Sequence, residues 1–124
     1  MNTGRPERLT ASGVGALVLI SAGPLIWVAQ FAVAYAVTTF ACAVLLAPWW
    51  ADFAVAAATT AAAAMLAVHL LLAARIAPLL GVPTETAVKT GLVRTARLAT
   101  LIAMVAVLWT GSSIVFVAAC TQGR

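Results

Sequence analysis

Three long apolar runs separated by two turn-forming segments set the pattern of this chain. They lie within residues 13–47, 53–75 and 98–119. Crossing a hydrocarbon core of about 30 Å takes roughly 20 apolar residues of helix, and each run is long enough. Pro48-Trp49-Trp50-Ala51-Asp52 punctuates the first junction, and Pro78, Gly81, Pro83 and Gly91 punctuate the second. The pattern predicts an all-α membrane protein whose three transmembrane helices form an antiparallel bundle. Its expected parts are a tail at 1–12, a first span with an extension at 13–47 and a short loop at 48–52. A second span at 53–75, a basic loop at 76–97, a third span at 98–119 and a tail at 120–124 complete it.

The first run is too long for one perpendicular span and too short for two. Gly23-Pro24 divides it, and counting back about 20 residues from Ala47 puts the inner boundary near Trp27 or Val28. Residues 13–22 then either prolong the same helix or lie along the membrane surface. A long first helix, kinked at Gly23-Pro24, is the preferred expectation.

Composition agrees with the pattern. Of 124 residues, 65% are hydrophobic and 8% charged, more apolar surface than a soluble domain of this size can hide. The N-terminal basic residues and the following apolar run mimic an export signal. That run continues far beyond a usual signal core, so an uncleaved first span is expected. A net charge of +4 would suggest nucleic acid in a soluble protein. Here the basic residues flank apolar runs without a stripe of interleaved aromatics, so no nucleic-acid partner is expected.

Those charges predict orientation and contact with lipid headgroups. Arg5 and Arg8 precede the first span, and Arg75, Lys89, Arg94 and Arg97 lie between the second and third. The first junction has no Lys or Arg, and only Arg124 follows the third span. The positive-inside rule then places the N-terminus in the cytoplasm and the C-terminus outside a bacterial inner membrane. Trp49 and Trp50 suit an outer aromatic belt and Trp27 an inner one. The loop 78–92 carries no phosphate-binding glycine pattern, and Thr84, Thr86 or Thr90 would cap a short helix leading into the third span.

On this topology Cys42 and Cys120 lie near the outer ends of the first and third spans, in an oxidising compartment. A disulfide between them is the first reading and two free thiols the second. Two cysteines without further ligands are too few for a closed zinc site. Gln30, His69 and Thr100 fall at one expected depth and form a candidate interhelical polar layer. The alternative role for such a layer is contact with a partner subunit, a quinone or a proton path.

Catalysis has little to build on. His69 is the one histidine, so a bis-imidazole haem would need a second copy of the chain. Glu7, Asp52 and Glu85 lie outside the spans and share no site, and Ser112 and Ser113 have no histidine at their depth. No catalytic, cofactor-binding or metal residue is expected. The second span repeats alanine at four-residue spacing, as in Ala54-Ala58, Ala57-Ala61 and Ala63-Ala67. Such faces let helices approach closely and suggest packing on a partner.

Pro24, Trp27, Gln30, Phe31 and Tyr35, followed by Cys42, form a pattern P-x-x-W-x-x-[H/Q]-F-x-x-x-Y…C, and Trp109 and Cys120 supply a Leu-Trp…Cys ending. This resembles a group of small bacterial three-span inner-membrane proteins often encoded beside cytochrome c oxidase genes. The resemblance covers about half the chain. Gln30 stands where members more often carry His, which speaks against a metal or haem ligand there. The resemblance implies an accessory subunit or assembly partner of a haem–copper terminal oxidase, with any haem or quinone held by the partner. The competing class is a self-associating transporter or channel. Proton-coupled export is disfavoured because every acid lies outside the spans. A holin-like toxic protein is the third and weakest reading. Membrane lipids, integral membrane subunits and a homo-oligomer are the partners these classes imply.

Overall fold

The computed structural model describes residues 5–44, 48–82 and 86–116. Three helices run through them: α1 over Arg5–Ala43, α2 over Pro48–Ile76 and α3 over Thr86–Phe116. A 3-10 turn, Ala77–Leu80, follows α2. Stretches long and apolar enough to cross a membrane cover Gly13–Ala43, Trp49–Leu80 and Ala87–Ser113. Each helix packs against the other two, so the protein is an all-α, three-helix membrane protein.

The helices have 39, 29 and 31 residues. At about 1.5 Å per residue they measure about 58, 44 and 46 Å, longer than a hydrocarbon core of about 30 Å. In α1 the extra length is the expected extension together with residues 5–12 of the expected tail, and in α2 and α3 it comes from segments expected as loops. Residues 48–52 are the opening turn of α2, because Pro48 at a first helical position needs no donor and has its φ already set. Most of 76–97 is helical as well, since α3 begins at Thr86. What remains of that connection turns at Gly81, whose φ of 71° is left-handed and suits a residue without Cβ. The N–H groups of Gly81 and Val82 donate back to the carbonyls of Pro78 and Ala77, each at 3.1 Å.

α1 continues unbroken through Pro24. Its early part does not lie apart along a surface. Leu19 is buried with Ala73, Ala77, Val82, Val93 and Ala96 in a core at the end of the bundle that holds the α2–α3 connection. Gly15 meets the Leu80 carbonyl there so closely that a Cβ would overlap the oxygen. A second core, formed by Ala62, Leu66, Ala103 and Val107, lies towards the α1–α2 turn. Outside these cores the bundle presents large apolar side chains such as Leu71, Ile102 and Trp109. A soluble monomer rarely exposes so continuous an apolar surface, whereas lipid tails match it.

Candidate functional site

Gln30 and Thr100 are the buried polar side chains among the described residues, 4% and 0% exposed. They belong to two separate hydrogen-bonded ties, each of which joins all three helices.

The first tie is centred on Gln30. Its Nε2 donates to Thr59 Oγ1 at 3.2 Å, and its Oε1 accepts from Thr110 Oγ1 at 3.1 Å. Thr59 gives its own hydrogen to the Val55 carbonyl at 2.8 Å, which leaves its oxygen as an acceptor and sets the orientation of the amide. Thr110 has one hydrogen and further acceptors in Ala106 O at 2.8 Å and Val107 O at 3.1 Å. The amide thus has a partner at both ends. In a membrane such interhelical bonds contribute about 0.6 kcal/mol each on average.

The second tie is centred on His69, whose Nδ1 lies 2.9 Å from Thr100 Oγ1. Thr100 Oγ1 also lies 2.7 Å from the Ala96 carbonyl, so its one hydrogen goes to that oxygen or to Nδ1 according to the ring tautomer. The imidazole also hydrogen-bonds the Leu19 backbone, which brings in α1. Pro24 cannot donate to the Ile20 carbonyl four residues back, so the α1 ladder lacks a bond beside the residue that meets the ring.

Glycines let the helices close around both ties. A Cβ on Gly111 would lie 2.7 Å from Thr59 Oγ1, and one on Gly23 would lie 3.0 Å from Thr100 Cα. Small residues of this kind allow membrane helices to approach at backbone distance.

Gln30, His69 and Thr100 therefore do not share a layer: the structure joins His69 to Thr100 and places Gln30 elsewhere, with Thr59 and Thr110. The reason is register. The α1–α2 turn is short, so residues equally far from it along the two helices share a depth, which pairs Gln30 with Thr59 and Leu19 with His69. The step from Thr59 to His69 equals that from Thr100 to Thr110, so the two ties lie about 15 Å apart along the bundle. Thr110 escaped the sequence reading. Its signal was that equal spacing, which is visible once the hairpin register is set.

The remaining expected residues are distributed as follows. Trp27 is not at an end of the bundle. Its indole packs on the second core, and its Nε1 is buried with no hydrogen-bond partner in the protein. Trp49 and Trp50 are exposed at the start of α2, with rings stacked at 5.0 Å. Arg5 and Arg8 lie in the first turns of α1, whereas Arg75 lies in the last turn of α2, the end at which a cation complements the helix dipole. Lys89, Arg94 and Arg97 line a groove beside Ala74. Cys42 is half-buried in the last turn of α1, and Cys120 lies outside the described residues, as does its pairing.

Chemically, the ties hold helices together. Ser112 and Ser113 donate to the carbonyls of Trp109 and Thr110, each at 2.7 Å. Among the described residues no group of three His, Cys, Asp or Glu side chains could hold a metal ion. Comparison with models of protein families, with curated proteins and with solved structures finds no match.

Proposed function

We propose that this chain is a non-catalytic accessory or assembly subunit of a larger bacterial inner-membrane complex, and that the complex is a respiratory haem–copper terminal oxidase. The observation that carries the subunit reading is a groove between α1 and α2, about 390 Å³, walled by Leu25, Ala29, Val33, Ala58, Ala61 and Met65. Of its small side chains, Ala29 and Ala61 remain exposed. A helix of another subunit can approach such a face at backbone distance. The polar group at its floor, Gln30, is already satisfied by Thr59 and Thr110, so the groove asks for a close-packed apolar partner.

The oxidase assignment rests on the pattern from Pro24 to Cys42 and on Trp109 and Cys120. In this reading Cys42 and Cys120 close a clasp at the outer face, and any haem or quinone belongs to the partner. A self-associated pore is the competing reading. It would place polar groups towards a shared axis, whereas the central amide here turns inward within one bundle.

The test is mild-detergent purification of the tagged chain from its native membrane, with a visible spectrum and identification of co-eluting proteins. Co-elution of haem absorption with oxidase subunits is expected. A haem-free homo-oligomer that ignores oxidase chains would contradict the proposal.

A further inference from the structure

The groove beside Ala74 has a chemistry of its own. It encloses about 480 Å³ between the end of α2 and the start of α3. Lys89, Val93 and Arg97 form one row along α3 and Arg94 and Leu98 an adjacent one, at four-residue steps that keep them on a single helix face. Three cations therefore look into one groove whose walls include Ala74, Val93 and Leu98.

The chain has three acidic residues against seven basic ones. Asp52 opens α2, about 33 Å from Ala74 along the helix. Among the described residues from 48 onward, Asp52 is the one acid, against Arg75, Lys89, Arg94 and Arg97. An orienting signal needs positive charge on one side of the membrane but no particular arrangement of it. A groove with a cationic floor and an apolar wall, open where a membrane-spanning helix meets its connection, is an arrangement with a ligand shape.

We propose that this groove binds the phosphate headgroup of an anionic phospholipid. The Arg94 and Arg97 guanidiniums are suited to bidentate contact with phosphate oxygens, and Lys89 adds a point charge. Val93 and Leu98 lie where the glycerol and upper acyl chain continue. The occupant is lipid because the apolar wall adjoins the lipid-facing surface of α3, where Leu101 and Ile102 are exposed. Basic pockets between membrane helices on the cytoplasmic side recognise headgroups in this way. The inference is independent of the accessory-subunit proposal.

The experiment is native mass spectrometry of the full chain in detergent, titrated with phosphatidylglycerol or with phosphatidylcholine. Phosphatidylglycerol adducts should dominate, and inorganic phosphate at matched ionic strength should not displace them. Replacing Lys89, Arg94 and Arg97 together by Gln should weaken phosphatidylglycerol binding about a hundredfold, or about fivefold for each basic group. Replacing Arg5 and Arg8 by Gln should leave it within about twofold. The double variant Arg94→Lys/Arg97→Lys keeps the charge and the fold but loses the planar forks, so an intermediate loss is expected. Equal binding of the two lipids, displacement by inorganic phosphate, or undiminished binding in the triple variant would overturn the proposal.

Discussion

Gly111 of α3 stands directly against Thr59 of α2: an added Cβ would lie 2.7 Å from the Thr59 hydroxyl oxygen, the atom that receives the Gln30 amide. The missing side chain at 111 thus sets how closely α2 and α3 approach at the first tie. Gly111→Ala gains about 1 kcal/mol of helix propensity but forces overpacking that costs about 1–3 kcal/mol. A net destabilisation of about 1 kcal/mol is expected. Gly91→Ala, where a Cβ meets nothing within 4 Å, should be neutral or stabilising. Unfolding midpoints in one detergent compare the two, and equal tolerance would remove the close-packing argument.

Gln30→Leu removes two interhelical bonds but strands no hydroxyl, because Thr59 and Thr110 keep bonds to their own helix backbones. A loss of only about 1 kcal/mol is expected from equilibrium unfolding. A loss above about 3 kcal/mol would mean that the amide holds something more than its two neighbours.

Orientation can be read by labelling. With Cys42 and Cys120 replaced by Ala, a cysteine at exposed Trp49 should react with an impermeant maleimide in whole cells. One at exposed Gly81 should react only after the membrane is opened. The reverse pattern would invert the assignment of the basic end to the cytoplasm.

The disulfide proposed between Cys42 and Cys120 has a simple readout. Under non-reducing conditions the intact chain should be two hydrogens lighter than the reduced one and should gain no alkyl groups. Alkylation of both Cys42 and Cys120 without reductant would exclude the pair.

The three spans were legible because they depend on run length and composition alone, and so was the continuation of α1 beyond a single bilayer thickness. The junctions were not. Hydropathy ends a span where Pro48-Trp49-Trp50-Ala51-Asp52 turns polar, yet Pro48 begins a helix there as readily as it ends one. Depth was also misassigned. Counting back from Ala47 treats each span as a rod cut to bilayer thickness, whereas the short α1–α2 turn fixes register whatever the membrane does. That difference moved Gln30 from the side of His69 to that of Thr59, and it hid Thr110.

Register is also where the account is most directly exposed. In a chain with Cys42→Ala and Cys120→Ala, oxidative cross-linking can compare the pair Gln30→Cys/Thr110→Cys with the pair Gln30→Cys/Thr100→Cys. Rapid intramolecular cross-linking of positions 30 and 110, with none between 30 and 100, is the predicted result. A bond that forms preferentially between 30 and 100 would merge the two ties into one layer and contradict the arrangement described.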